Sequence, residues 1–509
     1  MNRFLNTGSI CCRVICTMKA LSLRFLATLA LLICLLPRSA RAAETNHYNV
    51  LFIISDDMRT ELGCYGSKIA KTPNLDKLAV AGVMFERAYC QLALCDPSRT
   101  SMLTGRRPRT TGVLGNRGFF RDAHPDYVTL PQLFKNNGYV SLRAGKIFHG
   151  GFDDPESWTE GGDPHRLGSM TNQNGQTPNN ELLLSQYRRS RTNRASSTPR
   201  LSRAQYSDRW LELEGNGESH GDYRTTDQAI KFLRENKDRQ FFLGFGLVKP
   251  HSPPTAPKRF YDLYDVDKIP LPPNFAPRPT VPEGFPAAAI RSKNSDLFIR
   301  RDATPAEARE MIRAYLASCS WVDWNIGRVI AELDRLGLRE KTIIVFWSDH
   351  GYQLGENGRW SKAGSLFEPV ARQPLIIVAP NAEGNGRVCK RIVESLDIYP
   401  TLAELCGLPL PEGLEGHSLV PLLNNPQADW NYPAYTIWTE DGKSVQGVTV
   451  RTERWRYAEY GGGKNGAMLL DEAADPNELT NLANDPQFAP VRARLSALVK
   501  QYIAGMPTQ

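Results

Sequence analysis

Asn49-Val50-Leu51-Phe52-Ile53-Ile54-Ser55-Asp56-Asp57 is the stretch from which the fold can be read. Val50 to Ile54 are apolar without alternation, the pattern of a strand buried on both faces of a parallel sheet. The run stops at Ser55, and two adjacent carboxylates follow. The C-terminal ends of such strands are where an α/β sheet presents its ligands. One aspartate would serve to cap a helix; the pair Asp56 and Asp57 points to a metal ion instead. The arrangement recurs far along the chain, where Thr342-Ile343-Ile344-Val345-Phe346-Trp347 leads into Ser348-Asp349-His350-Gly351. Two such strand ends can gather Asp56, Asp57, Asp349 and His350 around one cation. So carboxylate-rich a set suits a hard ion, Ca²⁺ or Mg²⁺, better than zinc.

Other strand readings also end in polar groups. Tyr139 to Leu142 runs toward Lys146 and His149, and Phe241 to Phe245 toward Lys249-Pro250-His251; Pro374 to Val378 is a fifth strand. In isolation Lys146 and His149 read as a solvated lysine and a loop histidine, but the repetition favours a shared cleft. Leu94-Cys95-Asp96-Pro97-Ser98-Arg99 opens a helix that accepts Pro97 in its first turn and ends at Gly105. Cys95 is expected just ahead of that helix, where free N–H groups and the dipole favour negative charge. Arg99, a turn later, reaches back toward the same spot. A lone cysteine is more often a packing residue. Together with an anion-binding helix start and an arginine fork, it suits an oxyanion such as sulfate or phosphate.

Cys95-Asp96-Pro97-Ser98-Arg99, followed by Leu103-Thr104-Gly105, resembles the signature of the formylglycine-dependent sulfatase family. Matching order extends the resemblance to Asp56-Asp57-Met58-Arg59, Gly145-Lys146-Ile147-Phe148-His149, Lys249-Pro250-His251, Ser348-Asp349-His350-Gly351 and Trp360-Ser361-Lys362. Within the family it is to members acting on 2-sulfated uronic acids. It implies an α/β fold with an alkaline-phosphatase-like large domain, a mostly parallel central sheet and a smaller C-terminal antiparallel-sheet domain. It implies that a formylglycine-generating enzyme oxidises Cys95, whose hydrated aldehyde is then the nucleophile. One Ca²⁺ would be held by Asp56, Asp57, Asp349, His350 and the converted Cys95, with Arg99 helping to keep the nucleophile ionised. Lys146, His149, His251 and Lys362 would bind the sulfate oxygens. His251 or Lys362 would protonate the leaving alcohol, and His149 would assist the departure of sulfate. The substrate implied is a sulfated carbohydrate.

Two departures leave the sugar open: the segment from about Asp153 to His220, and Asn357, which stands where a histidine is expected from the resemblance. The rival readings are a phosphonate or phosphate diester hydrolase on the same scaffold and a glycan-binding protein that has lost catalysis.

The 509 residues exceed what one core usually spans, so two domains are expected. Residues 1–42 read as a secretory signal peptide: Lys19 and Arg24 precede an apolar run from Phe25 to Leu36, and Ala40-Arg41-Ala42 offers a cleavage site. That run is too short for a spanning helix, so no transmembrane anchor is expected after cleavage. The protein is expected to be exported, periplasmic or secreted, and lysosomal only in a eukaryotic host. The leader holds six basic residues and no acid, so the formal charge of +8 falls to +2 without it. That balance gives no case for nucleic-acid binding.

Four of the ten cysteines also leave with the leader, too few remaining for a disulfide scaffold, although a bridge or two is open. Residues 43–425 are expected to form the catalytic domain and 426–509 a C-terminal subdomain. In the latter, Tyr435 to Trp438, Gly447 to Arg451 and Trp455 to Tyr460 read as short strands before a closing helix. Thr304-Pro305-Ala306-Glu307 reads as a capping box opening a long helix. The proline-rich segment Ser252 to Ala287 is expected to wall the cleft. The arginines from Arg188 to Arg209 read as a solvated tract, with a rim for a polyanion as the lesser reading.

Overall fold

Residues 48–162 and 202–505 are described by the computed structural model. The expected leader and the arginines from Arg188 to Arg200 lie outside the described residues. Nine strands come first: β1 (Asn49–Asp56), β2 (Val83–Tyr89), β3 (Val140–Gly145), β4 (Leu211–Leu213), β5 (Phe241–Pro250), β6 (Thr255–Pro257), β7 (Thr342–Ser348), β8 (Arg372–Val378) and β9 (Val388–Glu394). Seven of them form one sheet in the order β3-β5-β1-β7-β8-β2-β9, while β4 and β6 pair separately. The β3-β5, β5-β1, β1-β7 and β2-β9 pairs are parallel. Only β8 runs against its neighbours, antiparallel to both β7 and β2.

The unbroken apolar run of β1 is explained by burial on both faces. Leu51 and Ile53 enter one core cluster, and Val50, Phe52 and Ile54 enter the other. All five are fully buried. On the first face lie α1 (Pro73–Ala81), α3 (Gly221–Glu235) and α4 (Pro305–Arg335); on the second lies α2 (Cys95–Thr104). The capping box at the start of α4 is formed, Thr304 accepting from the Glu307 N–H and Glu307 from the Thr304 N–H. After α4, Gly337 takes a φ of 67°, a left-handed position suited to glycine.

A second sheet, antiparallel throughout, takes β10 (Ala434–Thr439), β11 (Val445–Arg451), β12 (Trp455–Tyr460) and β13 (Ala467–Asp471), with α5 (Ala489–Ala504) packed on it through Leu495 and Val499. Main-chain contact ties it to the large sheet: the Ile437 N–H donates to the Gln91 carbonyl at 2.8 Å. Side chains tie the two sheets as well: Glu368 receives Arg451 and the fully buried Arg456, which also meets Glu472 at 2.9 Å.

Several details differ from the sequence reading. β2, β4, β6, β9 and β13 were not anticipated, because Glu86-Arg87 and Lys390-Arg391 interrupt the apolar pattern of β2 and β9 and the other three are short. Cys95 is the first residue of α2 rather than a residue ahead of it. The segment from Ser252 to Ala287 does not wall the cleft. Tyr261, Tyr264 and Ile269 pack into the core, and Pro270 to Asn274 line a separate cavity. The six cysteines among the described residues are all free, and none of the described helices is long and apolar enough to cross a membrane.

The core argument predicts that Leu51→Ala costs about 2–5 kcal/mol, whereas Val80→Ala, at a site 75% exposed, costs within about 0.5 kcal/mol. Denaturant midpoints of the two variants check the contrast.

Candidate active site

Register brings the two carboxylate-bearing strand ends together. β1 and β7 are parallel neighbours with Ser55 opposite Ser348, so Asp56-Asp57 and Asp349-His350 leave the sheet side by side. The junction is tied by short bonds. The Ser348 hydroxyl donates to the Ser55 carbonyl at 3.0 Å, and the Asp57 N–H donates to Asp349 Oδ1 at 3.1 Å. Asp57 holds a φ of 66°, uncommon outside glycine and the short polar residues, which turns its carboxylate back over the strand end.

Arg99 clamps the pair from α2. Its Nε donates to Asp349 Oδ2 at 2.9 Å and its Nη2 to Asp56 Oδ1 at 3.0 Å, while Nη1 meets the carbonyls of Lys146 and Ile147. Ser98 also donates its hydroxyl to the Asp349 carbonyl. From the end of β3, Lys146 Nζ reaches Asp56 Oδ2 at 2.5 Å; Lys362 Nζ reaches both oxygens of Asp57, at 2.9 and 2.6 Å. Burial alone would raise the Asp56 carboxyl, but Lys146 and Arg99 beside it hold it well below the usual carboxylate range.

Cys95 is buried over this cluster, its Sγ 3.6 Å from His350 Nε2 and 4.0 Å from Asp57 Oδ1. Burial and the negative charge of Asp56 push its thiol well above the ordinary value. An unmodified Cys95 is therefore a neutral thiol and a weak nucleophile. His251, just past β5, lies 4.0 Å from Asp57 through Nε2. Burial and Lys362 lower its pKa. His149 is pushed down to about 3 by burial and Lys146, and its Nδ1 is buried without a hydrogen-bond partner.

The candidate catalytic and metal-holding residues Asp56, Asp57, Cys95, Arg99, Lys146, His149, His251, Asp349, His350 and Lys362 thus converge on one place. One ligand atom from each of Asp56, Asp57, Cys95 and His251 lies within 4.8 Å of the others, and the same holds for Cys95, Asp349 and His350. Beside the Cys95 sulfur the donors are three fully buried carboxylates, the buried His350 imidazole and the part-buried His251 imidazole, and so carboxylate-rich a set fits a hard divalent cation. Three carboxylates face Arg99, Lys146 and Lys362, so formal charge balances. A divalent ion added to that set leaves net positive charge for an anion.

Above Cys95 opens a cavity of about 680 Å³, ample for one small-molecule ligand. His149, His251 and Lys362 line it at the strand ends, Arg291, Ser295 and Asp296 on one side, and Thr439 to Lys443 from the second sheet on another. These last two walls were missed in the sequence, since nothing local marks a β-hairpin turn or an irregular segment as facing a distant cleft. Asn357 does not line the cavity; it occupies a left-handed turn, φ 50°. Lys249 was quoted but given no role. It is buried, and its ammonium donates to the carbonyls of His251 at 2.8 Å and Pro253 at 2.7 Å, fixing the loop that carries His251.

Comparison with known proteins agrees with this geometry. The sulfatase family matches residues 48–408, and the C-terminal family of N-sulphoglucosamine sulphohydrolase matches residues 355–504. Human iduronate 2-sulfatase is 34% identical, the match covering 87% of this chain and 92% of that protein. A sulfatase of Formosa agariphila is 31% identical over 90% of this chain and 87% of its own. Among solved structures, the phosphonate monoester hydrolase of Agrobacterium radiobacter shares the fold with a TM-score of 0.70 at 22% identity, covering 90% of this chain and 96% of that one. A buried strand-end cluster under a Cys-x-Pro-Ser-Arg helix, in a chain matched over most of its length, makes this protein a member of the sulfatase family, a hydrolase of sulfuric esters.

Proposed function

We propose that this chain removes sulfate from a sulfated carbohydrate, with a 2-sulfated uronic acid as the first candidate, through formylglycine formed from Cys95 and one bound Ca²⁺. The observation that carries this reading is the position of Cys95: first residue of α2, facing His350 and Asp57, beneath an open cavity. The relation to human iduronate 2-sulfatase supports the choice of sugar. On this reading residues 43–425 carry the chemistry, 426–509 form the smaller subdomain, and residues 1–42 direct export to the periplasm or beyond. Maturation requires a formylglycine-generating enzyme.

Asp56, Asp57, Asp349 and His350, with residue 95, hold the cation. When present, the ion supplies positive charge, and the hydrated aldehyde supplies the attacking oxygen. Arg99 fixes the two carboxylates that frame that oxygen. Lys146 and Lys362 carry the charge that binds sulfate oxygens as the bond from sulfur to the ester oxygen breaks. His251 or Lys362 delivers a proton to the departing alkoxide, which leaves as the alcohol. His149, held neutral, takes the proton of the second hydroxyl as sulfate departs, and one water in total is consumed.

Matured protein is expected to turn over an aryl sulfate and a 2-sulfated uronic acid, and Cys95→Ala to abolish both with little change in the unfolding midpoint. Much faster hydrolysis of an aryl phosphodiester, or activity retained in the variant, contradicts the reading. A pH effect follows from His149. Between its ordinary 6.5 and about 3 the unfolded chain binds a proton that the folded site refuses. Folded stability therefore declines as pH falls through that window, and His149→Asn flattens that part of the profile, read as unfolding midpoint against pH.

A further inference from the structure

His251 owes its place to a local irregularity in β5. Up to Ser55 the strands β1 and β5 keep register, with Ser55 opposite Leu247, but Asp56 then stands opposite Pro250. Val248 and Lys249 are therefore two extra residues on β5, a bulge of the kind that re-aims side chains beside an active site. Their N–H groups are lost to the β1 ladder and need acceptors elsewhere, since a buried N–H without one costs free energy.

Asp222 supplies those acceptors. It sits in the first turn of α3 and is 2% exposed. The Val248 N–H donates to its Oδ1 and Oδ2 at 3.0 and 3.1 Å, and the Lys249 N–H to Oδ2 at 2.8 Å. An aspartate in that turn would ordinarily serve the start of its own helix. Here His220 does so, its Nδ1 accepting the Asp222 N–H at 3.1 Å, and the carboxylate is left for β5.

The bulge is fastened on two further sides. Ser55 donates its hydroxyl to the Lys249 carbonyl at 2.8 Å, which ties the bulge to the strand end that carries Asp56-Asp57. The Lys249 ammonium, on the carbonyls of His251 and Pro253, holds the loop that follows. This scaffold presents one ring in one orientation. His251 Nδ1 lies 2.8 Å from the Ser252 carbonyl. A carbonyl only accepts, so Nδ1 carries the hydrogen, and Nε2 lies toward Asp57 in the wall of the cavity over Cys95.

We propose that Asp222 is a positioning residue for His251: its carboxylate templates the bulge in β5 that aims Nε2 at the substrate. Asp222 does not line the cavity and acts only through that ring. The inference rests on the sulfatase reading, and within it on the part given to His251.

The test is a double-mutant cycle in the matured full chain, assayed on a 2-sulfated uronic acid. Asp222→Asn keeps the size of the side chain but turns an amide N–H₂ toward one of the two backbone donors, and a ring displaced by about 1 Å costs on the order of 10²-fold in rate. The expected kcat is about ten- to hundred-fold lower, with KM changed by less than about three-fold. Added to His251→Ala, the same substitution is expected to cause no further loss. A loss of equal size in both backgrounds makes Asp222 a general support of the fold and overturns the proposal, as does an unchanged kcat in the single variant. Should Asp222→Asn not fold, Asp222→Glu, which keeps both acceptors and moves them by one methylene, is read through the same cycle with the same outcomes. Full turnover by His251→Ala removes that ring from the chemistry and the proposal with it, while an aryl sulfate hydrolysed by the unsubstituted protein upholds the sulfatase reading by itself.

Discussion

Arg99 holds Asp56 and Asp349 with one guanidinium, and the rest of the site depends on that clamp. Both carboxylates are fully buried at the ends of adjacent parallel strands. Without a shared cation their repulsion would force the strand ends apart or protonate one of them. The guanidinium geometry matters as much as its charge, because a planar fork can serve two acceptors while its remaining donors anchor on the carbonyls of Lys146 and Ile147. Through those carbonyls the clamp also fixes the end of β3, from which Lys146 and His149 depart. One buried side chain thus sets the relative positions of three strand ends and the helix that begins at Cys95.

Charge explains why so polar a cluster survives inside the protein. Asp56, Asp57 and Asp349 are matched by Arg99, Lys146 and Lys362, each within hydrogen-bond distance of a carboxylate oxygen. Buried ion pairs of this kind seldom add to net stability, since desolvation offsets much of the attraction. Their retention is better understood as preparation for chemistry. The lysines face the same cluster that a divalent ion would occupy, and burial and the neighbouring lysines lower the pKa of the imidazoles of His149 and His251. Such a site is arranged to take up an anion and to move protons, and its architecture belongs to sulfuric ester hydrolysis.

Much of this was legible because both faces of β1 and β7 are buried, which writes an unmistakable apolar run ahead of Asp56-Asp57 and Asp349-His350. The Cys95 helix was legible because Pro97 and Gly105 are local signals. What the sequence concealed was tertiary. β2 and β9 lose their pattern where Glu86, Arg87, Lys390 and Arg391 interrupt the apolar run, and both pairings of β2 shift register near Phe85. Lys249 reads as an ordinary lysine until its ammonium is seen on two main-chain carbonyls. The cleft walls are drawn from Arg291, Ser295 and Asp296 and from Thr439 to Lys443, segments far from the strand ends in sequence. The proline-rich stretch from Ser252, a natural candidate for that wall by composition, supplies core residues instead.

The most direct measurement is anomalous diffraction from crystals of the matured protein grown with Ca²⁺. The account predicts one strong peak among Asp56, Asp57, Asp349 and His350, at about 2.3–2.6 Å from the carboxylate oxygens and beside the His350 imidazole, with density at residue 95 fitting a hydrated aldehyde next to it. A peak elsewhere, or no ion at that cluster together with an intact Cys95 thiol, would contradict it.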